Sequence, residues 1–230
     1  MNLAGITTST PAVSITKQEM EAVRAVSVQE NNVYTGTLLV SGEIKTVADE
    51  AAYTMSDFSS WGRNMCNYFV YVNRGSLTVE QGAWIQNCKT HGIRLYPNGS
   101  TSVAFHGGVL QNNGTGALYG YAKETANPRL VLSPAAGTEL SVSGDLNLKS
   151  TSSTSYLPMK LTIAGSLDNL TLPGGGLYLT GHLKDGHVVA VPAEGYTITQ
   201  SDLEKLKLRD ESLALVLEDG NVVVRMASGT

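Results

Sequence analysis

Gly75-Ser76-Leu77-Thr78-Val79 returns as Gly99-Ser100-Thr101-Ser102-Val103, 24 residues on. Ile85-Gln86-Asn87-Cys88 returns as Leu110-Gln111-Asn112-Asn113, 25 residues on. A short strand, a turn and an asparagine-bearing corner therefore recur at a nearly constant period. A recurrence of this size marks a solenoid, in which each winding buries its apolar face against the windings beside it.

Composition fits a chain made of short strands and many turns. Charged residues are 16% of the 230, well below the roughly 25% of ordinary globular proteins. Hydrophobic residues are 42%, enough for a packed core, and glycine is abundant at 24. The net charge is −4 and lysine and arginine do not cluster, so nucleic acid is not an expected partner. No apolar run reaches the roughly 20 residues of a membrane-crossing helix, so membrane insertion is not expected either. Met1-Asn2-Leu3-Ala4-Gly5 lacks the basic and apolar regions of a secretory signal.

The pattern divides the chain into three parts. Residues 1–34 read as a linker and a short helix, opened by the capping box Thr16-Lys17-Gln18-Glu19, which is either a cap or the end of an upstream module. Residues 35–172 carry the coils, interrupted at 46–68 by a segment with Phe58 and Trp61 that is expected to cover the first coil. After the two clear coils the strand-like runs persist but the period drifts. Residues 173–230 read as a β-rich closing segment. There Gly176 to Thr180 is expected to pair with Val188 to Val191 across Lys184-Asp185-Gly186. Leu213 to Leu217 is expected to pair with Asn221 to Arg225 across Glu218-Asp219-Gly220, where Asp-Gly is a type I′ signal. Thr199-Gln200-Ser201-Asp202 caps a second short helix. The expected fold is all-β: a right-handed parallel β-helix with short capping helices and a C-terminal β-meander.

The glycine-led coils at 75–98 and 99–113 resemble the repeats of right-handed parallel β-helix domains, pectate-lyase-like and adhesin-like, in large bacterial cell-surface proteins. The tail from Gly195-Tyr196-Thr197-Ile198 to Val222-Val223-Val224 looks like segments that follow such coils in surface proteins of gut bacteria. The likeness covers roughly residues 36–225. It implies parallel sheets with stacked side chains and an extracellular or cell-surface setting. The expected function is that of a non-catalytic structural or adhesive segment of a secreted or surface-attached bacterial protein that meets carbohydrate or a host surface. A polysaccharide lyase or glycoside hydrolase, and a phage tail fibre or spike segment, are the alternatives.

Candidate chemistry is sparse. The carboxylates between Gly75 and Gly165 are Glu80, Glu124, Glu139 and Asp145, none adjacent to another, whereas a hydrolase needs a pair about 5–9.5 Å apart. No catalytic residue, metal site or cofactor is expected. His182 and His187 flank one turn and read as a surface pair. Tyr119, Tyr121 and Trp84 are the candidate ligand-binding residues, because rings along a solenoid wall meet sugar faces. Tyr119 and Tyr121 share a side if the chain is extended there. Asn87 and Asn112 occupy matching positions and are expected either to stack as an amide ladder or to serve as turn residues. Cys66 and Cys88 lie close to one coil apart. They would form either a disulfide, since stacked windings place backbones about 4.8 Å apart, or two reduced apolar residues stacked in the coil.

Overall fold

Strand alternation places the apolar residues inside. In Thr101–Phe105, Thr101, Val103 and Phe105 are buried, while Ser102 and Ala104 keep partial exposure. Arg129–Leu132 and Lys160–Ile163 share this two-residue rhythm, turning Leu130, Leu132, Leu161 and Ile163 inward. Such strands stack in register in the computed structural model. It describes residues 13–15, 26–28, 37–40, 68–72, 75–79, 84–86, 91–97, 101–111 and 115–227.

The described residues contain nineteen strands in three sheets. In spatial order the first sheet holds β1 (Val13–Ile15), β3 (Thr37–Val40), β5 (Gly75–Val79), β8 (Thr101–Phe105), β11 (Arg129–Leu132), β14 (Lys160–Ile163), β16 (Val188–Pro192), β19 (Asn221–Met226) and β18 (Leu213–Glu218). The second holds β17 (Leu206–Leu208), β15 (Leu177–Gly181), β13 (Leu146–Lys149), β10 (Gly116–Tyr119), β7 (His91–Leu95), β4 (Tyr68–Val72) and β2 (Val26–Val28). The third is β12 (Leu140–Val142), β9 (Gly108–Gln111) and β6 (Trp84–Gln86). The chain visits the sheets in turn: β5–β6–β7, β8–β9–β10 and β11–β12–β13 are complete windings. A fourth passes from β14 through a bridge between Thr171 and Ser141 to β15. The fold is thus an all-β parallel β-helix, as the repeat implies.

Register builds the core. Val103, Leu130, Leu161 and Ala190 form one column through the first sheet, and Phe105, Leu132 and Ile163 form a second. Ile93, Leu118, Leu146 and Leu179 form the matching column of the second sheet. All of these side chains are buried. Each rests on the winding below, about 4.8 Å away, so the apolar area is shared between neighbours.

The structure shifts one of the sequence matches. Gly75 pairs with Thr101 and Leu77 with Val103, rather than with the residues two positions earlier. A slip of two leaves every side chain on its own face, so the alternation is satisfied either way. Ile85 and Gln86 pair with Leu110 and Gln111 as expected. Later windings lengthen: Val103 pairs with Leu130, and Leu130 with Leu161. The drift of the period lies in loops, while the strands stay in register.

The C-terminal end is closed by reversal of direction. β16 pairs antiparallel with β19, and β19 with β18 in a hairpin. Asp219 and Gly220 both have positive φ, as the type I′ turn requires. The expected pairing of Gly176 to Thr180 with Val188 to Val191 does not form. β15 lies between β13 and β17 in the second sheet, and β16 lies between β14 and β19 in the first. Each strand gains a buried parallel partner one winding away, which an isolated two-stranded ribbon lacks. The second helix, α1 (Gln200–Lys205), has its capping box between Thr199 and Asp202. β1 and β2 pair with β3 and β4, inside the same two sheets. The expected helix after Thr16, the covering segment around Trp61, Cys66 with Cys88, and Asn87 with Asn112 lie outside the described residues.

Candidate functional site

Alternation in β10 turns Leu118 inward and Tyr119 outward onto the second sheet's outer wall. Register sets Tyr119 between Arg94 of β7 and Asn147 of β13, with Thr180 of β15 beyond. The Arg94 guanidinium carbon lies 5.1 Å from the centre of the Tyr119 ring, a cation–π contact. The His91 ring approaches Tyr119 to 4.7 Å at a tilt of 58°.

Two residues on, the chain leaves the wall as a loop. Ala122 bridges to Leu157 through a reciprocal pair of backbone hydrogen bonds of 2.9 Å, which joins the loops of two successive windings. That bridge brings Tyr121 against Tyr156, rings 4.7 Å apart and edge to face. The Lys123 ammonium sits 5.7 Å over the Tyr156 ring. Burial raises the pKa of the Tyr121 phenol, and the Arg94 charge draws it part of the way back. Arg94 therefore links Tyr119 and Tyr121 into one patch of rings and cations. Farther along the wall Arg209 stacks 3.6 Å from the Tyr178 ring and grips Asp145 through Nε and Nη2 at 2.9–3.3 Å.

Tyr119 and Tyr121 thus belong to one patch, each with a different ring partner. Trp84 stands in β6, on the third sheet and so on another wall. Tyr156, Lys123 and Arg94 were not legible as partners in the sequence. They arrive from three windings joined by loops of unequal length, and no spacing signals that. His182 and His187 take separate partners: the His182 backbone donates to the Lys149 carbonyl at 2.9 Å, and His187 Nδ1 accepts from the Lys184 backbone at 3.2 Å. Among the described residues no three His, Cys, Asp or Glu side chains are grouped to hold a metal ion. No helix among them is long and apolar enough to cross a membrane.

His91 supplies a pH signature for this wall. Burial lowers its pKa to about 4, with the Asp145 charge opposing. The unfolded chain then takes up the proton first, so the contribution to stability is whole above about pH 6.5 and declines as the pH falls toward 4. Unfolding free energy is expected to drop by about 2 kcal/mol between pH 7 and pH 5 from this group alone. Urea unfolding at both values, with His91→Gln as the variant whose slope flattens, checks it. An imidazole that titrates near 6.5 by NMR would contradict it.

Comparison with known proteins finds no matching family model, no matching curated relative and no matching solved structure.

Proposed function

We propose that this chain is a non-catalytic structural and adhesive segment of a secreted or surface-attached bacterial protein, and that its patch of tyrosines binds a glycan. One observation carries the reading: Tyr119 on the outer wall meets Arg94, and Tyr121 and Tyr156 pack together in the adjoining loops beside Lys123. Sugars present C–H faces to aromatic rings and hydroxyls to cationic donors, so rings and cations side by side suit both. The interior is filled by apolar columns, which leaves recognition to the outer surface. The likeness of the coils to adhesin-like repeats supports the same setting, outside the cell. Asp145, one of the few carboxylates of the coil region, is engaged by Arg209, which favours a binding role over hydrolysis.

A glycan array followed by calorimetry on the best binders tests this. Tyr121→Ala and Tyr156→Ala are each expected to weaken binding at least tenfold, while Tyr178→Ala, farther along the wall, leaves it unchanged. Absence of any sugar binding, or equal binding by all three variants, counts against the reading.

A further inference from the structure

The two long sheets end at different heights at the C-terminal end. The last winding passes from β16 in the first sheet through α1 to β17 in the second. Beyond β16 the first sheet adds β19 and then β18. Beyond β17 the second sheet adds no strand among the described residues. The first sheet therefore overhangs by two strand spacings, about 10 Å. Cross-strand partners share a face, so Val222, Val224 and Met226 of β19 stand beside Leu217, Leu215 and Leu213 of β18. Val222 and Val224 are fully buried, whereas Met226, on the same face, is 62% exposed. The apolar inner face of the first sheet thus runs out past the windings that cover it.

A groove of about 290 Å³ occupies this step. α1 and β17 line it with Leu203, Leu206 and Leu208, and β18 lines it with Leu213, Ala214 and Leu215. β18 touches both α1 and β17 and so closes one side. Leu203, Leu208, Leu213 and Leu215 stay only partly buried. The volume is at the small end for a small-molecule site and suits the side chains of a strand instead. The outer edges of β17 and β18 each lack a strand neighbour among the described residues. An open edge beside an apolar groove accepts an added strand: backbone groups pair along the edge, and alternate side chains fill the groove. The rim sets the charge of that strand. Glu204, Asp210 and Glu211 line it against one cation, Lys207, whose stem packs against Gly176. The neighbouring cations are committed elsewhere, Lys205 to Asp168 at 3.0 Å and Arg209 to Asp145 at 2.9 Å.

We propose that this step is a docking site for an extended segment of a partner protein, basic and with apolar residues at every second position, which adds as a strand to the open edge of β17. The added strand continues the second sheet under the overhang. Its apolar residues meet Leu208 and Leu213, and its cations meet Glu204 and Glu211. The same end of a second copy is a poorer occupant, because a two-fold contact would set these carboxylates against their own copies. The site is separate from the tyrosine patch, which belongs to windings nearer the middle of the stack.

The probe is a short, capped synthetic peptide of alternating valine and lysine, titrated calorimetrically into the full chain. Its counterpart with glutamate in place of lysine is one control. Two forms N-methylated at alternate residues, one on each set, are the others. Saturable binding of the lysine peptide is expected, with the glutamate peptide at least tenfold weaker. N-methylation removes amide donors and keeps every side chain and charge, so one of the two methylated forms should lose at least tenfold. Glu204→Lys combined with Glu211→Lys, both at exposed positions, should weaken the lysine peptide at least tenfold in a variant that circular dichroism shows to be folded. Tyr121→Ala should bind the peptide unchanged. Amide exchange at Leu206 to Leu208 should slow in the complex. No saturable binding, equal binding of the parent and both methylated forms, or binding that survives the charge reversals overturns the strand addition. A dimer that forms through this end and excludes the peptide assigns the face to a second copy and overturns it as well.

Discussion

Replacing Leu130 with alanine is expected to lower the free energy of unfolding by about 4 kcal/mol, toward the upper end of leucine truncations in protein cores. The cost of such a truncation depends on how far the surroundings collapse into the space. Leu130 sits in mid-column with Val103 on one side and Leu161 on the other, all three fully buried. Hydrogen bonds along β8, β11 and β14 fix the spacing of these neighbours, so neither can slide inward without breaking register. A solenoid winding also has no partner except its neighbours, so a void in one weakens two interfaces. The same truncation at Leu215, half-buried in the terminal hairpin, is expected to cost about 1 kcal/mol. Urea denaturation followed by circular dichroism, with amide exchange along β8 and β14, measures both. A loss at Leu130 no larger than at Leu215 would mean that the columns are loosely packed.

That architecture was legible because its cause is local. Thr101 to Phe105 and Arg129 to Leu132 alternate, and alternation requires one buried face. Asp219-Gly220 forced positive φ on two successive residues and so announced its hairpin. The capping box at Thr199 and Asp202 is likewise a four-residue signal. Register was harder to read. A slip of two between Gly75 and its partner preserves both faces, so the sequence alone does not distinguish 24 from 26. The failed pairing of 176–180 with 188–191 has a similar origin. Nearness in sequence favours a hairpin, but the true partners of β15, Leu146 and Leu206 among them, lie about one winding away.

The site was legible only in part, for the same physical reason. Tyr119 and Tyr121 belong to one strand end and one alternation, so inspection of that segment finds them. Tyr156 reaches Tyr121 only because Ala122 bridges to Leu157, a contact between two loops with no periodicity. Lys149 is covered by the tight approach of Gly181 to the end of β13. Nothing about a lysine at a strand end marks it as buried until the next winding is laid over it.

Asp202→Ala is expected to cost about 3 kcal/mol and to loosen the C-terminal end of the stack. The carboxylate is fully buried. Its Oδ1 accepts from Leu167 N–H at 2.8 Å, across to the 3-10 turn Leu167–Asn169, and its Oδ2 accepts from Tyr196 Oη at 2.8 Å and from Thr199 N and Oγ1 at 2.9 Å. Burial alone would raise its pKa, but these donors outweigh burial and hold it below the ordinary carboxylate value. Alanine orphans the Leu167 and Thr199 amides and the Tyr196 hydroxyl, each costing about 1 kcal/mol or more where water does not replace the lost acceptor. Nearby, Ser201 and Lys205 of α1 both hold Asp168, so the helix stays tethered at its surface while its buried anchor is gone. Amide exchange should therefore quicken at Leu167 and through α1 before the central windings respond. Since the folded pKa is depressed, the carboxylate's contribution is whole above about pH 4 and is lost as the pH falls through the folded value; Asp202→Asn should flatten stability in that window. Tyr196 gives an independent reading. Its pKa is pushed up to about 12, by burial first and then by its bond to Asp202, so either variant should bring phenol ionisation closer to 10 in a spectrophotometric titration. If Tyr196 ionises unchanged in the variants and exchange at Leu167 stays slow, the helix is held by its apolar contacts and Asp202 is only a cap.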